Sequence, residues 1–285
     1  MGFPRFKSCR RWDSIQFRDA QHYLDGNYFH APRMCGGKIR CVVHRPLEGK
    51  FKYARVVLRP SGWYLQCVCE SVPHPLPVLE NSVGLDMGIT YLVADSEGGF
   101  VQNPKNLQAA ADTLAKAQRR LAKKQPGSRR RNKARRCVAR HHERIRNRRK
   151  DVLHKVSRKY VHEYQAIIVE DLNPANMVKN HCLARAISDA SWGTLRGMLD
   201  AKAEDAGRTV VAVPPHFTSQ DCSACGARVQ KSLSVRTHVC PVCGYVADRD
   251  TNAALNIKKA GLQRLAAART EPSLSIGEGS CGNTR

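Results

Sequence analysis

Acidic residues are scarce in this sequence: 24 Asp and Glu stand against 48 Lys and Arg, which gives a formal net charge of +24. The sequence also lacks an apolar run of roughly 18 residues, so neither a membrane-spanning helix nor a membrane partner is expected. The first residues, MGFPRFKSCRRW, lack the apolar segment of a secretory signal. These shortages argue against an integral membrane protein and favour the cytoplasm, or the nucleus in a eukaryote.

Positive charge is what the sequence has in abundance. A chain with a pI near 10.0 needs a polyanionic partner, and nucleic acid is the commonest one. An anionic membrane surface is the competing interpretation. With 285 residues, of which 42% are hydrophobic, the chain can form one large domain or two modest ones with a substantial core.

The sequence contains 12 cysteines, and without a secretory signal they favour metal binding over disulfides. Two C-x-x-C-G motifs, at 222–226 and 240–244, can bring four thiolates around one ion in a closed tetrahedron. Unrelated core cysteines or a redox pair are the alternatives, and the flanking His216 and His238 are expected at the surface or beside the site. The predicted ligands of a structural zinc ion are Cys222, Cys225, Cys240 and Cys243.

The N-terminal block is rich in β-branched and aromatic residues, which predicts short strands at 38–44, 54–59 and 63–70. The sequence Pro-Ser-Gly at 60–62 predicts a hairpin turn. We therefore expect a small or partial β-barrel. The cysteines of this block show no metal pattern and are assigned to its core: Cys35, Cys41, Cys67 and Cys69.

Strand and helix patterns alternate in the rest of the chain, which predicts an α/β fold. A proline-rich linker at 73–81 precedes a strand, a tight glycine turn, a second strand and a hairpin at 96–99. Apolar runs predict the later elements: buried strands at 166–170 and 209–213, an amphipathic helix at 184–206, and a final helix after the cysteine-rich module.

Residues 107–163 have a helical pattern and are strongly basic, with a break at 126–128 that predicts two antiparallel helices. A charge run is often only a solvated face. Here the charges would repel one another unless an anionic partner offset them, so contact with nucleic acid is the preferred interpretation. The candidate contacts are Arg119, Arg120, Lys123, Arg130, Arg131, Arg135, Arg136 and Arg140.

Three acids stand at the ends of predicted elements: Asp86 before a glycine turn, Glu170 at the end of the strand AIIVE, and Asp250 at the start of the last helix. Buried strands rarely end in carboxylates without a functional reason. If the three converge, divalent cations must offset their repulsion, and Mg²⁺ suits carboxylate oxygens. Each acid also has a simpler explanation, namely a turn residue for Asp86, an arginine partner for Glu170 and a helix N-cap for Asp250.

The order of the acid-bearing elements is the RNase H-like layout: a strand with Asp, a hairpin, a strand with Glu and a helix with Asp. Asp171 lies one residue past its strand and is expected to point away from Glu170. Asp248 precedes the last helix and is interpreted as a surface acid of the zinc module.

Five segments together resemble the TnpB (OrfB) proteins of bacterial insertion sequences, which are related to the type V CRISPR effector nucleases: GLDMGITYLVADSEG, IIVEDLNPANM, FTSQDCSACG, CPVCG and DRDTNAALNIKKAG. The resemblance runs from about residue 3 to residue 262. It implies an RNase H-like (RuvC) nuclease core with inserted basic helices and a zinc ribbon. It also implies an RNA-guided DNA endonuclease of a transposable element, in the cytoplasm of a bacterial or archaeal cell and associated with the nucleoid.

The resemblance implies roles for single residues as well. Asp86, Glu170 and Asp250 would be the catalytic ligands of Mg²⁺, and the four motif cysteines would hold zinc. The arginine-rich helices at 116–150 would grip a heteroduplex of target DNA and a guide RNA transcribed from the transposon end. They would read its backbone and A-form shape rather than its sequence.

The expected domains are a partial β-barrel (wedge) domain at 1–80, a RuvC-like core at 81–216 containing the basic helical insertion 107–163, a zinc ribbon at 217–247, a final RuvC helix at 248–266 and a disordered tail at 267–285. Family members usually begin with a further wedge strand and a helical recognition lobe, so a truncated or late N-terminus is expected. Two alternatives stay open. One is a catalytically silent or truncated nucleic-acid binder derived from a transposon, and the other is a DDE-type transposase, which the position of the ribbon disfavours.

Overall fold

The computed structural model describes residues 13–18, 24–31, 37–70, 72–232 and 235–270, except for the side chains of the last two. Within it the chain divides into two units. The first unit comprises Met1–His74 and Asn106–Arg148, and the second comprises Pro75–Lys105 and Arg149–Arg285. Three features named above lie outside the described residues: the first twelve residues, Cys35, and the tail beyond 270.

Short antiparallel strands form the first unit, as its β-branched and aromatic sequence predicts. They make two three-stranded sheets with the orders β1-β5-β6 and β2-β3-β4. The strands are β1 (Ser14–Arg18), β2 (Leu24–Asp25), β3 (Tyr28–His30), β4 (Lys38–Arg40), β5 (Lys50–Arg59) and β6 (Gly62–Glu70). Phe29, Ala31 and Ala54 are fully buried. The ring of Phe17 meets that of Phe29 edge-on, with 5.3 Å between centroids, and closes this small core.

The β5–β6 pair confirms the predicted hairpin. Arg59 pairs with Gly62, so Pro60 and Ser61 form the turn. The strand bounds differ from the prediction, since β5 begins at Lys50 and β4 ends at Arg40, leaving 41–44 outside any strand. The described cysteines of the predicted strands are half-buried and not enclosed in the core: Cys41, Cys67 and Cys69. Of these, Cys41 packs against the small core at Phe29.

Helices α1 (Asn106–Ala109) and α2 (Ala111–Ala122) are followed by the long helix α3 (Arg129–Glu163), whose residues up to Arg148 belong to the first unit. The break predicted at 126–128 is confirmed, and Gly127 adopts a positive φ of 79° that a side chain would strain. Ser128 then accepts a hydrogen bond from the backbone N–H of Arg131 and so caps the new helix.

Two of the predicted nucleic-acid contacts also bond to backbone carbonyl oxygens. Arg140 Nε donates to Pro60 O at 2.9 Å. Arg131 Nη1 donates to the carbonyl oxygens of Leu121 and Lys124, at 3.2 and 2.7 Å, and so satisfies carbonyls at the end of α2. Arg131 is half-buried and serves the helix break. The other seven predicted contacts are exposed: Arg119, Arg120, Lys123, Arg130, Arg135, Arg136 and Arg140.

A five-stranded sheet with the order β11-β10-β7-β8-β9 forms the centre of the second unit. Its strands are β7 (Ser82–Asp86), β8 (Tyr91–Asp95), β9 (Phe100–Gln102), β10 (Ala166–Glu170) and β11 (Thr209–Val213). The first three strands are antiparallel neighbours, whereas β10 runs parallel to both β7 and β11. The predicted α/β fold is therefore observed, with both predicted buried strands at their predicted bounds.

Helices cover both faces of this sheet. One face packs against the end of α3, α5 (Ala184–Ala190) and α6 (Trp192–Ala206), and the other packs against α7 (Arg249–Thr270). The short helix α4 (Pro174–Met177) follows β10.

A Cβ atom added to Gly84 of β7 would lie 2.1 Å from the carbonyl oxygen of Ala254. Glycine is therefore required there, because the backbones of β7 and α7 are in direct contact.

The helix predicted at 184–206 is interrupted. Ser191 adopts a left-handed conformation with φ 56°, which ends α5 and begins α6. The break allows Trp192 to be buried, and its indole Nε1 donates to the carbonyl oxygen of Gly88 at 3.3 Å. The apolar periodicity continues through the break, so the sequence pattern gave no sign of it.

The proline-rich segment predicted as a linker is fixed to the second unit, although it forms no helix or strand. The N–H groups of Leu76 and Leu79 donate to Ala206 O and to Gln165 Oε1. Arg208 Nη1 donates to the Pro77 carbonyl at 2.8 Å. These contacts hold the segment on the edge where α6 and β11 meet.

The cysteine-rich module contains one antiparallel pair, β12 (Thr237–Val239) and β13 (Val246–Asp248), and α7 follows it directly. The last helix reaches Thr270, beyond the predicted end at 266. Over the part of the chain that the structure describes, no helix is both long enough and apolar enough to cross a membrane.

Candidate acidic site and cysteine cluster

The sheet brings Asp86 and Glu170 to the same edge. Val169 of β10 lies opposite Leu85 of β7 in parallel register, so the next residue of each strand is the acid. Side chains alternate along a strand, and Leu85 and Val169 point into the core on the α3 and α6 side. Asp86 and Glu170 therefore both point toward the opposite face, which α7 covers.

Asp250 joins them from the first turn of α7. The sequence left open whether Asp250 is the N-cap of this helix, and the structure gives that role to Asp248. Asp248 Oδ1 accepts the backbone N–H of Asp250 at 2.8 Å and that of Thr251 at 3.4 Å. Asp248 is exposed, as expected of a surface acid, and it caps α7 as well, so the carboxylate of Asp250 is left available for the site.

The pKa of Asp86 responds to both of the other acids. Burial, and then the charges of Glu170 and Asp250, raise the pKa of Asp86 to about 8. Burial also raises the pKa of Glu170, against a hydrogen bond from Thr218 that lowers it. Burial raises the pKa of Asp250 too, against the opposing charge of Arg236. A cluster of carboxyl groups in this state binds either protons or cations.

Asp171 behaves differently from Glu170, as predicted. It is exposed, and its backbone N–H continues the sheet by donating to Val213 O at 2.8 Å. Its carboxylate is therefore not part of the buried edge at which Glu170 lies.

Two residues of the cysteine-rich region reach the acids, and the sequence analysis missed both. Thr218 Oγ1 donates to Glu170 Oε1 at 2.6 Å. Arg236 Nη1 lies 3.6 Å from Asp250 Oδ1, while its Nη2 donates to Thr90 Oγ1 at 2.7 Å. Neither contact has a local sequence signal, because each joins residues that are distant in the chain.

The four predicted cysteines converge. Their sulfur atoms all lie within 4.8 Å of one another, with 3.7 Å from Cys222 to Cys243 and 3.6 Å from Cys225 to Cys240. A zinc ion with Zn–S bonds of about 2.3 Å in a tetrahedron requires S–S separations of about 3.8 Å. The cluster therefore fits a tetrahedral zinc ion.

Both C-x-x-C-G motifs have the same backbone conformation. Gly226 and Gly244 have positive φ values of 80° and 72°, and their N–H groups donate to Cys222 O and Cys240 O. Backbone N–H groups, first that of Cys243, lower the pKa of Cys240 to about 6, which favours the thiolate that a metal ion binds. The turn after the second pair thus favours the thiolate form of Cys240.

Among the described residues, these cysteines are the one group of three or more His, Cys, Asp or Glu side chains whose ligand atoms are all this close. Asp86, Glu170 and Asp250 are spaced more widely. Glu170 and Asp250 are near enough to raise the pKa of Asp86, although not all three carboxylates lie within 4.8 Å of one another.

His216 and His238 differ in their surroundings. His216 is exposed, and a surface position is one of the two that the sequence analysis allowed for it. His238 lies on β12 and is completely buried, with its Nδ1 against Lys231 Nζ and its ring near that of Tyr245. It supports the interior of the module and does not belong to the group of four sulfur ligands.

Two family models match the chain. The model described as "Probable transposase" matches residues 66–181. The model described as "Cas12f1-like, TNB domain" matches residues 192–257, which include α6, β11, the cysteine cluster and the start of α7.

Named relatives are similar over most of this chain. A "Putative RNA-guided DNA endonuclease" of Streptomyces pristinaespiralis is 47% identical over 206 residues, which are 72% of this chain and 51% of that protein. The "Putative RNA-guided DNA endonuclease InsQ" of Escherichia coli (strain K12) is 32% identical over 277 residues, which are 91% of this chain and 68% of that protein. This chain therefore belongs to the TnpB (OrfB) family of insertion-sequence proteins.

The matched part of this chain spans about half of the length of the Streptomyces relative. Among solved structures, a chain of the Cas12f1–sgRNA–target DNA complex has a TM-score of 0.45 and 17% sequence identity, covering 72% of this chain and 55% of that chain.

Proposed function

We propose that this protein is an RNA-guided, Mg²⁺-dependent DNA endonuclease of a transposable element, with Asp86, Glu170 and Asp250 as its catalytic residues. The observation that carries the proposal is the convergence of these acids on the α7 side of the sheet edge. The names of the relatives support the same activity.

The sheet supports an RNase H-like (RuvC) core. Three antiparallel strands, β7 to β9, are extended beyond β7 by the parallel strands β10 and β11. The first acid ends β7, the second ends β10 and the third opens α7, in the order expected for such a core. The basic helices lie between β9 and β10, and the cysteine cluster lies between β11 and α7.

The donor set fits magnesium, because it consists of carboxylate oxygens that need positive charge nearby. The mutual repulsion of three carboxylates favours two ions, which Asp86, Glu170 and Asp250 would hold together. Bound there, Mg²⁺ would supply an activated water and neutralise charge at the leaving oxygen of a phosphodiester.

The protein's own side chains orient this site. Thr218 fixes one oxygen of Glu170, and Arg236 lies beside Asp250 with about half of its side chain exposed. The planar guanidinium of Arg236 carries more donors than Thr90 uses. It is therefore suited to hold a phosphate oxygen of the substrate next to the acids.

Zinc is the second metal of the proposal. Cys222, Cys225, Cys240 and Cys243 would hold it in a closed four-thiolate site, which serves structure and not catalysis. It would keep the short β12–β13 pair and the loop that carries Arg236 in place beside the acids.

Nucleic-acid contact is assigned to the exposed basic residues of α2 and α3. Seven of the eight predicted contacts present their charges to solvent, and Arg131 is withdrawn from this group because it caps α2. Exposed guanidinium and ammonium groups on helices suit a phosphate backbone, in agreement with target DNA and a transposon-end guide RNA as partners. This proposal also includes the partial wedge domain, the domain bounds and a cytoplasmic location near the nucleoid.

Cleavage of labelled target DNA in Mg²⁺ tests the proposal, using the protein purified together with its transposon-end RNA. Wild type and Asp205→Ala, which removes an exposed acid of α6, should cut, whereas Asp86→Ala should bind DNA without cutting it. If wild type and Asp86→Ala both bind and neither cuts, the nuclease proposal fails and a catalytically silent nucleic-acid binder takes its place.

A further inference from the structure

The segment that leads from β11 into the first cysteine pair touches the acidic site at one point. Thr218 is half-buried, and its hydroxyl donates to Glu170 Oε1 at 2.6 Å, a short distance typical of a bond to a carboxylate. This bond takes up one oxygen of Glu170. The other oxygen of Glu170 is left available to a cation.

The backbone of this segment is held in an unusual conformation. Phe217 has a positive φ of 62°, which is rare for an aromatic residue and persists only when its surroundings enforce it. The guanidinium of Arg228 lies 3.6 Å from the centroid of the Phe217 ring. Arg228 is itself fixed by hydrogen bonds of 2.8 and 3.3 Å to Asp221, the residue before the first metal-binding cysteine.

Two asparagines of α7 tie the same segment to the helix that carries Asp250. Asn256 Nδ2 donates to the carbonyl oxygens of Thr218 and Asp221, at 2.8 and 2.7 Å. Asn252, which is completely buried, donates to Asp221 O and accepts the N–H of Ser223. Thr218, the first cysteine turn and the first turns of α7 are therefore joined by direct hydrogen bonds.

From these contacts we infer that Thr218 is a positioning residue for Glu170, by which the segment leading into the first cysteine pair supports metal binding at the acidic site. The inference rests on the proposed function, because it concerns the acids to which that function assigns Mg²⁺. Thr218 does not touch the ion. It sets the rotamer of a carboxylate that does.

The size of the effect follows from experience with other metal sites. Loss of a residue that orients a metal ligand typically lowers metal affinity or activity by about 10–100-fold. Valine has nearly the shape of threonine and no hydroxyl, so Thr218→Val removes the donor and keeps the volume. Thr218→Ser keeps the donor and should retain the wild-type behaviour.

The primary measurement is the Mg²⁺ affinity of the zinc-loaded protein, by calorimetric titration with MgCl₂ alone. We expect Thr218→Val to raise the Kd for Mg²⁺ about 10-fold or more, with Thr218→Ser close to wild type. The matched control is Thr209→Val, an exposed threonine at the start of β11, at the end of the sheet away from the acids. Zinc content by elemental analysis should be equal in all four proteins.

The second measurement is the Mg²⁺ concentration for half-maximal DNA cleavage. It should rise in Thr218→Val and remain unchanged in the serine and control variants. If Thr218→Val keeps its zinc and binds Mg²⁺ as tightly as wild type, the positioning role is overturned while the nuclease proposal stands. If wild type and Asp86→Ala bind Mg²⁺ equally, the proposed function fails first and the inference fails with it.

Discussion

Arg236 lies with its Nη1 3.6 Å from Asp250 Oδ1, so the cysteine-rich module places a positive charge at an acid of the sheet edge. The two residues come from different elements, since Arg236 precedes β12 and Asp250 lies in the first turn of α7. The contact explains why this charge opposes the rise in the pKa of Asp250 that burial causes. It also links the structural and the proposed catalytic parts of the second unit.

Replacing Arg236 tests that link. We expect the guanidinium of Arg236 to bind a phosphate oxygen in the transition state. Arg236→Ala removes this donor and should lower the single-turnover cleavage rate about 100-fold. Arg236→Lys should recover only part of the rate, because an ammonium cannot reproduce the planar fork. Rates are compared at saturating protein, with Arg185→Ala as a control for loss of an exposed arginine. An unchanged rate in Arg236→Ala would remove this residue from the proposed mechanism.

The raised pKa of Asp86 predicts a pH dependence of the metal-free acidic site. The folded pKa of about 8 lies above the ordinary value of 3.8, so the folded state holds its proton while the unfolded state has released it. The contribution of Asp86 to the free energy of unfolding is therefore full at low pH and is lost as pH rises through about 8.

Asp86→Asn removes that ionisation. At pH 8 without Mg²⁺ we expect the variant to be more stable than wild type by about 5 kcal/mol, and the difference should shrink toward pH 4. Denaturant unfolding measures it. Addition of MgCl₂ should stabilise wild type and leave Asp86→Asn nearly unaffected. A stability difference that does not vary with pH would show that Asp86 ionises normally.

Removal of one thiolate tests the zinc site. Cys240→Ser should release zinc and unfold the short β12–β13 pair, because the closed site needs all four sulfur ligands. Elemental analysis measures the metal, and the exposed Cys137 provides a matched control in Cys137→Ser. Equal zinc content in the two variants would contradict the four-thiolate site.

Salt dependence tests the exposed arginines of α3. Nucleic-acid affinity should fall steeply with salt, and the log–log slope should be shallower in the double variant Arg135→Ala/Arg136→Ala, by about 1 for each arginine that binds a phosphate in the wild type. Arg131→Ala is expected to behave differently. It should lower thermal stability with little change in slope, because Arg131 bonds to Leu121 O and Lys124 O. Equal slopes in all three proteins would contradict the role of α3 in binding.

Features with a short-range cause were predictable. The turn at Pro60 and Ser61 and the break at Gly127 follow from residues that favour those backbone conformations. Each pair of cysteines is only two residues apart, which allows both thiolates to turn toward one ion. The acids could be recognised because a carboxylate at the end of an apolar strand is costly unless it has a use.

Features that depend on long-range packing were not predictable. The break at Ser191 exists because Trp192 must be buried against the turn at Gly88, and the apolar periodicity hides it. Asp248, and not Asp250, caps α7. The hydrogen bond that Asp248 accepts shows this, and the sequence does not. The sequence does not distinguish Arg131 from its basic neighbours, whereas its hydrogen bond to α2 does.

The sequence by itself therefore determined the ligand types, the order of the elements that carry them and the positive charge around them. The tertiary structure alone decided how the acidic site and the cysteine cluster are connected. Thr218 meets Glu170 and Arg236 meets Asp250 across long stretches of chain. Such contacts depend on how α7 packs on the sheet at Gly84, and local sequence patterns carry no information about that packing.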